Sequence, residues 1–534
     1  MRCGLFAWRP RLWRVETICR VLALAATTLV MGCSSARFDV PRPPSYAIDR
    51  PEESFLGRTF ATQLAETPGS SGFHLLVSGQ EAFLARAALA ESAERTLDLQ
   101  YYIVAEDATA TLLLYRALRA AQRGVRVRLL IDDLYAVGRD FDLGTFAAHP
   151  NVEVRLFNPF LRRGPLGISH LLEYLGDSAR LTRRMHNKLW IADNAAAIVG
   201  GRNLSDAYFN VGGESDFADL DVLAAGPVVA EVSRSFDAYW NSEWAVPIAA
   251  FLGQPPKTDQ LDLVLSQMAA GAERFRETEY ARTLRATELG PLVRDGRIPL
   301  VPARASAIYE PPASPGAVIA EGEAQIMSVL RKTVEAAQRE VILISPWLIP
   351  SERGMGVLCT LARRGVRVRV LVNSLAAQDP PVVHAGYARY RPRLLACGVE
   401  LHEHRPSAAS PGGARPGLSS GASLHAKAVV VDRKSMLIGS MNLDPRSREL
   451  DTEVAVSIES AALGGQLGKL FDEAASLDQA FRVELTEPGN ENAPLSWTGN
   501  EEGKPVRYTS EPLASWWRRF FASVLGALAP EEML

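Results

Sequence analysis

The strongest constraint on the fold of this chain is an internal repeat. The run Arg-Gly-Val-Arg-Val-Arg occurs twice, at residues 123–128 and 364–369. In both copies a helical pattern ends at the glycine, a position that suits a left-handed backbone. The Val/Arg alternation that follows is typical of a strand with one buried face. The repeat therefore predicts two structurally equivalent halves within one chain.

The elements around the two runs follow the same order of helix, strand, helix and strand. In the first copy we predict these elements at 81–93, 96–103, 109–123 and 125–131. In the second copy we predict them at 323–338, 340–345, 356–364 and 366–372. Such units form right-handed crossovers in parallel sheets. We therefore expect an α/β fold of two pseudo-twofold-related halves, each a mostly parallel sheet flanked by helices, sharing one active site.

Each half also contains one His-x-Lys-x4-Asp motif followed by an asparagine. The spacing is the same in both copies, which are His186, Lys188, Asp193 and Asn203, and His425, Lys427, Asp432 and Asn442. Strand alternation points the histidine and the lysine of each motif to one face. One such motif alone is common surface chemistry, but its duplication in two repeated halves indicates a catalytic site.

These residue types suit the cleavage of a phosphodiester. Two imidazoles can serve as nucleophile and as acid for the leaving alcohol, while the lysines and asparagines hold phosphoryl charge without a metal. A carboxylate on each imidazole fixes its tautomer. The predicted orienting residues are Asp221 and Glu453, each of which precedes a strand, with Glu214 as second choice in the first half. Asp193 and Asp432 are interpreted as turn residues that organise the motif, and a simple turn role is the alternative.

We expect neither a metal nor another cofactor, because no Cys/His cluster has the spacing of a zinc site. The formal net charge of −3 provides no global basic field, so a nucleic-acid partner is not expected either.

These motifs resemble the HKD signature of the phospholipase D superfamily. The likeness extends to the stretches at 97–102, 152–159, 184–188 and 199–203, which are similar to bacterial cardiolipin synthases of the C type. The resemblance covers about residues 75–534. It implies a phosphatidyltransferase that makes cardiolipin-type lipids from a phospholipid, phosphatidylglycerol or phosphatidylethanolamine, through a phosphohistidine.

The same resemblance assigns roles to the site residues. His186 is the nucleophile by analogy and His425 is the acid and base. The residues that bind the phosphoryl oxygens are Lys188, Lys427, Asn203 and Asn442. Two alternatives stay open, which are a phospholipase D or other phosphodiester hydrolase of the same fold, and a non-catalytic lipid-binding envelope lipoprotein. The sequence does not indicate whether a protein partner is needed.

The N-terminus resembles a lipoprotein signal. A basic stretch precedes an apolar run at 21–31, which is too short to span a membrane, and Cys33 closes a segment like a lipobox. An uncleaved short anchor and a mis-assigned start are the alternatives. Ser34 is of the residue type that permits transfer to an outer membrane. We therefore expect a lipid-anchored protein of the bacterial cell envelope that faces the periplasm, with the outer membrane favoured over the inner one.

The predicted organisation has six parts: a signal segment at 1–33, a linker at 34–70, the first half at 71–248, an inter-half segment at 249–320, the second half at 321–482 and a tail at 483–534. Residues 406–422 are rich in Pro, Gly and Ser and predict a flexible loop directly before the second motif. An apolar, largely aromatic stripe between Leu513 and Leu528 predicts a helix that lies in a membrane interface or packs on the protein body. Cys359 and Cys397 form either a disulfide or two buried thiols.

Overall fold

The computed structural model describes residues 34–35, 39–163, 168–211, 216–312, 325–377, 381–406 and 423–528. The expected signal segment with Cys33, the candidate Glu214 and nearly all of the predicted loop at 406–422 lie outside the described residues.

The first half is built on one sheet. Its strands are β1 (Ser71–Leu76), β2 (Thr96–Tyr101), β3 (Arg126–Asp132), β4 (Val152–Phe157), β5 (Leu189–Ala192), β6 (Ala196–Gly200), β7 (Asp221–Ala225) and β8 (Ala245–Pro247). They lie in the order β8-β4-β3-β2-β5-β6-β7-β1 across the sheet.

The second half repeats this sheet. Its strands are β9 (Val301–Tyr309), β10 (Glu340–Ile344), β11 (Arg367–Asn373), β12 (Glu400–His404), β13 (Ala428–Val431), β14 (Ser435–Gly439), β15 (Val454–Glu459) and β16 (Ala480–Leu485). They lie in the order β16-β12-β11-β10-β13-β14-β15-β9, so each has a counterpart in the first half. Two further strands extend the sheet beyond β16: β17 (Leu495–Glu501) and β18 (Lys504–Tyr508).

The α/β architecture in two equivalent halves is confirmed, but each sheet is mixed rather than mostly parallel. Only β2, β3 and β4, and their counterparts β10, β11 and β12, run parallel. The strands that follow the two motifs belong to hairpins, β5–β6 and β13–β14, and hairpin strands are antiparallel by construction. The sequence predicted a strand at each motif but not its antiparallel pairing in a hairpin, and the observed strands begin only after Lys188 and Lys427.

Strand β9 joins the two halves. Residues 301–303 pair with β1 of the first sheet, and residues 304–309 pair with β15 of the second. The predicted inter-half segment at 249–320 therefore contributes a strand to both sheets. Most of the described remainder of that segment is helical, at Thr258–Arg276, Glu279–Arg285 and Leu289–Arg294.

Helices cover the sheets. Those of the first half and the inter-half segment are α1 (Phe55–Gln63), α2 (Gly79–Ser92), α3 (Ala108–Gln122), α4 (Asp140–Phe146), α5 (Ile168–Gly176), α6 (Ser178–Leu181), α7 (Pro227–Trp240), α8 (Thr258–Arg276), α9 (Glu279–Arg285) and α10 (Leu289–Arg294). Those of the second half and tail are α11 (Gln325–Glu335), α12 (Ser351–Arg363), α13 (Pro381–Ala396), α14 (Pro445–Glu449), α15 (Ala461–Ala474) and α16 (Trp516–Leu528). None of these helices is long and apolar enough to cross a membrane.

Local sequence explains where the repeated helices begin and end. Ser78 and Glu81 form a capping box that starts α2, and the side chain of Asp107 caps α3. Gly124 and Gly365 follow α3 and α12 with φ of 98° and 86°, the left-handed conformation that the repeat predicted at both glycines.

The repeated arginines differ from the expected one-sided strand. Arg128 is fully buried and forms ion pairs with Asp98 at 2.7 Å and with Asp237 of α7 at 2.8 Å. Its counterpart Arg369 pairs with Glu340 at 3.2 Å and with Asp472 of α15 at 2.5 Å. Both faces of these strands are therefore covered, and the helix behind each one supplies a carboxylate that makes burial of the guanidinium tolerable.

The predicted linker, the two cysteines of the body and the predicted tail all form part of the folded structure. The predicted linker at 34–70 contains helix α1, whose Leu56 and Phe60 are buried in the core of the first half. The two cysteines of the body, Cys359 and Cys397, are joined in a disulfide that ties α12 to the end of α13. Residues of the predicted tail at 483–534 form β17, β18 and α16.

Candidate active site

The two His-x-Lys segments each bind backbone of the opposite half. The N–H of His186 donates to the carbonyl of Thr452 at 2.9 Å, and the N–H of His425 donates to the carbonyl of Ala218 at 2.7 Å. Residues 423–424 also form a short parallel ladder with residues 217–218. These contacts bring both motifs to the junction between the halves, as a shared site requires.

His186 is held by a carboxylate from the second half. Its Nδ1 lies 3.0 Å from both carboxylate oxygens of Glu453, which is fully buried. The same carboxylate accepts hydrogen bonds from the hydroxyls of Ser440 at 2.5 Å and Ser447 at 2.8 Å. Glu453 therefore contacts the histidine of the other half, and its orienting role stays a prediction.

His425 is held in the reciprocal way by the first half. Its Nδ1 lies 2.7 Å from Oδ2 of the buried Asp219. The other oxygen of Asp219 accepts the backbone N–H of Leu220 at 2.7 Å. Because Nδ1 of each imidazole faces a carboxylate, Nε2 is the nitrogen left for chemistry.

Asp219 replaces Asp221, for which the sequence prediction was wrong. The carboxylate of Asp221 faces the core and pairs with Arg86 at 2.9 Å and Arg202 at 3.4 Å. Strand register explains the error. Asp221 pairs with Gly200 as Ala455 pairs with Gly439, so the counterpart of Glu453 lies two residues before Asp221.

Both lysines of the motifs lie beside their histidines. The ammonium of Lys188 donates to the carbonyl of His186 at 2.5 Å and lies 5.6 Å from the ring centre of Tyr102. The ammonium of Lys427 donates to the carbonyl of His425 and lies 3.0 Å from its Nδ1. Both lysines are almost fully buried, so their charges act through a medium that screens poorly.

Burial and these lysines disfavour the protonated histidines. Burial lowers the pKa of His186 well below its usual value, and Lys188 and Lys427 lower it further. Burial also lowers the pKa of His425 to about 3, with Lys427 and Lys188 adding to the effect and Asp219 opposing it. Each lysine therefore acts on both imidazoles. The pKa of Lys188 is itself lowered to about 7 by burial, against the opposing charge of Glu453.

The two carboxylates differ in their pKa. Burial raises the pKa of Glu453 to about 7, although Lys188 and the hydroxyls of Ser440 and Ser447 oppose the shift. Burial also opposes ionisation of Asp219, but His425, Lys427 and Arg202 hold the pKa of its carboxyl well below the usual range. His425 thus faces a fully ionised partner, whereas the partner of His186 titrates near neutrality.

Aromatic rings complete the surroundings of the imidazoles. Tyr102 packs edge-on against His186 with ring centres 5.1 Å apart. Tyr208 and Phe217 pack against His425 at 5.1 and 5.2 Å. Sequence reasoning did not single out these rings. Tyr102 lies within the strand predicted at 96–103, at the end of a stretch that resembles the family, and Phe217 lies two residues before Asp219. These positions were the available signals.

The motif aspartates lie away from the imidazoles. Asp193 occupies the β5–β6 turn and accepts the backbone N–H groups of Glu94, Arg95 and Thr96 at 2.8–2.9 Å. Asp432, in the β13–β14 turn, does the same for residues 338–340 at 2.7–3.0 Å. Both aspartates have φ of 53°. They therefore fasten each hairpin to the start of a neighbouring strand, and a direct catalytic role does not follow from their position.

The two asparagines have different surroundings. Oδ1 of Asn203 accepts the N–H of Ile103 at 3.1 Å, and its Nδ2 donates to the hydroxyl of Tyr208 at 3.0 Å. Oδ1 of Asn442 is buried and has no hydrogen-bond partner in the structure. Phosphoryl binding stays a prediction for both. Across the described ranges, no three His, Cys, Asp or Glu side chains form a group able to hold a metal ion.

Comparisons with known proteins agree on one family. A family model described as "Cardiolipin synthase, PLD-like domain" matches residues 87–240 and 330–475, so each match contains one motif. Cardiolipin synthase C of Escherichia coli (strain K12) is 39% identical over 484 residues, covering 88% of this chain and 98% of that protein. Cardiolipin synthase A of Pseudomonas entomophila (strain L48) is 25% identical, covering 77% of this chain and 69% of that protein.

A solved structure has the same fold. The crystal structure of phosphatidylserine synthase from Haemophilus influenzae Rd KW20 aligns with a TM-score of 0.54 at 14% identity, covering 89% of this chain and 100% of that one.

Proposed function

The chain belongs to the phospholipase D-like family of cardiolipin synthases, and we propose that it transfers a phosphatidyl group between alcohols to make cardiolipin-type lipids. The observation that carries the proposal is the reciprocal pairing of the two histidines with Glu453 and Asp219, each from the opposite half. One phosphodiester between two such imidazoles meets a nucleophile, an acid and two lysines.

In the first step, Nε2 of His186 forms a bond to phosphorus. The bond between phosphorus and the leaving alkoxide breaks, and that oxygen takes a proton from Nε2 of His425. The lysines stabilise the charge that gathers on the phosphoryl oxygens. A phosphatidyl-histidine results.

In the second step, an acceptor alcohol gives its proton to His425 as its oxygen attacks phosphorus. The bond between phosphorus and His186 breaks, and both histidines return to their starting forms. If the acceptor is the hydroxyl of a phosphatidylglycerol, the product is cardiolipin. If water takes its place, the product is phosphatidic acid.

The difference between the two carboxylates supports this division of labour. His425 must carry a positive charge before it can protonate the leaving group, and the ionised Asp219 beside its Nδ1 favours that charge. His186 must attack as a neutral imidazole, which a partner with a pKa of about 7 favours. A bound phosphodiester anion opposes the charges of Lys188 and Lys427, so the pKa of His425 rises when the substrate binds.

We further propose that the protein acts at a membrane surface, which it contacts through its first half. A patch of exposed apolar side chains follows the carboxyl end of β3 and continues on α5; it comprises Leu134, Tyr135, Leu171, Leu172 and Leu175. Arg163 bonds to Asp133 at 2.8 Å, and Phe160 packs on His170 of α5, so the two parts are neighbours. Tyr135 in turn packs against Tyr102, the ring that covers His186.

The position of the residues that follow Cys33 supports membrane contact at the same patch. Ser34 and Ser35 pair with Arg163 and Arg162. The two described residues that follow Cys33 therefore lie beside this patch. One lipid chain gives only weak attachment, and a second apolar contact makes it firm.

Helix α16 offers a corresponding contact in the second half. Its Trp516, Trp517, Phe520 and Phe521 are 47–63% exposed. Arg518 anchors the helix by donating to the carbonyls of Leu375 and Ala377, just beyond the carboxyl end of β11. Strand β11 is the counterpart of β3, so the two apolar surfaces flank the site. Aromatic side chains at such positions suit the headgroup region of a bilayer.

The disulfide supports a location in the cell envelope. Cys359 and Cys397 are bonded, and disulfides persist in oxidising compartments such as the periplasm. With a lipid on Cys33 and Ser34 after it, we propose a periplasm-facing lipoprotein with a preference for the outer membrane.

The function is tested by its products. Purified protein is incubated with labelled phosphatidylglycerol in EDTA, with and without phosphatidylethanolamine, and His186→Ala serves as the control. Labelled cardiolipin that is absent with His186→Ala supports the transferase. Phosphatidic acid as the sole product supports the hydrolase, and lipid binding without turnover supports the non-catalytic lipoprotein.

A further inference from the structure

A large, mainly apolar cavity lies in the second half, and neither histidine nor lysine of the two motifs lines it. Its volume is about 390 Å³, within the range of small-ligand sites. Helix α11, helix α12 and the residues between β10 and α12 form its walls. The apolar side chains that line it include Leu330, Val334, Leu348, Ile349, Val357 and Leu358.

One end of this cavity reaches the segment that follows the second motif. Asn442 and Asp444 belong to its lining. The amide oxygen of Asn442 is buried and has no hydrogen-bond partner in the structure. Asp444 is buried, and the charge of Glu453 adds to the effect of burial in raising its pKa to about 6. The wall of the cavity therefore lies within electrostatic range of the carboxylate that holds His186.

A smaller cavity lies between this space and the catalytic lysine. It is about 20 Å³ in volume and is lined by Lys427, Leu330 and Leu443 among others. Leu330 and Leu443 also line the large cavity. The two spaces thus share walls, and apolar surface extends from α11 to the neighbourhood of the Lys427 side chain.

We propose that the large cavity receives one acyl chain of the phospholipid whose phosphate lies between the histidines. This inference rests on the proposed function, because it concerns the substrate of that same site. A phospholipid joins a phosphate and acyl chains covalently, so any site for an acyl chain must lie within reach of the phosphoryl site. The cavity satisfies that requirement through Asn442. Most of its exposed wall is apolar, which suits an acyl chain, while the charged side chains of Arg331, Arg353, Arg448 and Glu449 also belong to its lining.

A filling substitution tests the proposal. Val357→Trp places an indole in the cavity from α12, whereas Thr360→Trp places one on the exposed side of the same helix. Two substrates are compared, dioleoyl phosphatidylglycerol and bis(4-nitrophenyl) phosphate, which has no acyl chain. Relative to Thr360→Trp, we expect Val357→Trp to lower kcat/KM for the lipid at least about tenfold more than for the nitrophenyl ester, a factor worth about 1.4 kcal/mol. Equal effects on the two substrates would overturn the proposal.

A second measurement uses the wild-type protein and is independent of folding defects. Phosphatidylglycerol with a diazirine at the end of one acyl chain is photolysed on the enzyme, and labelled peptides are sequenced. Label within 325–335 or 351–363 supports the acyl site. Label confined to α5 or α16, while cardiolipin is still formed, overturns the site and leaves the proposed function intact. Wild-type protein that forms no product from phosphatidylglycerol contradicts the proposed function itself.

Discussion

Nδ1 of His186, in the first half of the chain, lies 3.0 Å from both carboxylate oxygens of Glu453 in the second half. In the reciprocal arrangement, Oδ2 of Asp219 in the first half lies 2.7 Å from Nδ1 of His425 in the second half. Because each histidine takes its carboxylate from the opposite half, neither half contains a complete site. The two halves must dock correctly before either imidazole is oriented.

The first prediction concerns these carboxylates. Asp219→Asn and Glu453→Gln remove the charge that orients and supports an imidazole, and we expect each to lower kcat on the order of a hundredfold or more. Melting temperature should change little for Asp219→Asn because the shape is retained. The measurement is kcat with labelled phosphatidylglycerol, and a variant with wild-type kcat would show that the pairing is not used.

Asp221 provides the contrasting prediction. Its carboxylate pairs with Arg86 and Arg202 in the core, so Asp221→Asn leaves buried guanidinium charge without its partner. We expect the free energy of unfolding to fall by roughly 3–5 kcal/mol. Chemical denaturation measures the loss. If kcat per folded molecule falls as far as in Asp219→Asn while stability is unchanged, the assignment of the two aspartates is reversed.

The motif aspartates should behave as structural residues. Asp193→Ala and Asp432→Ala each remove an acceptor from three backbone N–H groups, and we expect a loss of about 1–3 kcal/mol in the free energy of unfolding. Asn at either position keeps one oxygen and tolerates the left-handed backbone, so it is the matched milder variant. Loss of kcat at unchanged stability would instead argue for a direct role in catalysis.

The pH dependence of kcat/KM should follow the protonation of Lys188. Its pKa is lowered to about 7, so its positive charge is present below that pH and is lost as the pH rises through it. Because we propose that this charge binds the phosphoryl group, we expect kcat/KM to fall above about pH 7 through a rising KM. Lys188→Arg keeps its charge at every pH tested, and any activity it retains should lack this limb. A wild-type kcat/KM that is constant to pH 9 would contradict the assignment.

Membrane attachment should depend on the two apolar surfaces. We expect Leu171→Asp with Leu175→Asp, and separately Trp516→Asp with Phe520→Asp, to reduce co-sedimentation with anionic vesicles several-fold. Leu263→Asp alters a leucine of α8 that is also exposed and serves as the control. Cleavage of bis(4-nitrophenyl) phosphate reports that the variants are folded. Vesicle binding equal to that of Leu263→Asp would show that neither surface contributes to membrane attachment.

The repeat made much of the fold predictable. Four elements in each half were placed to within a few residues, because a 3.6-residue period, a two-residue period and a terminal glycine all pointed to the same structure. The short hairpin strands that follow the His-x-Lys residues were not predicted to be antiparallel, since four or five residues hold too little periodic signal. The burial of Arg128 was not predicted either, because its buried partners Asp98 and Asp237 lie on other elements.

The site was predictable where the chemistry is local. Histidine and lysine two positions apart fixed the motif, and duplication supplied the second copy. Asp219 could not be told from Asp221 by counting, because the segment after the first asparagine is longer than its counterpart and only strand register aligns the two. Cross-half partners such as Glu453 for His186 depend on how two surfaces dock, which no spacing within one half encodes.

Trapping can detect the proposed covalent intermediate on His186, for which His425 serves as acid and base. His425→Ala is mixed with a phosphatidyl ester of nitrophenol, whose leaving group needs no proton, and then digested for mass spectrometry. We predict a phosphatidyl adduct on the peptide that contains His186, because the second step lacks its base, and no adduct in His186→Ala. An adduct on the peptide with His425 in His186→Ala, together with none on His186 in His425→Ala, would contradict the account.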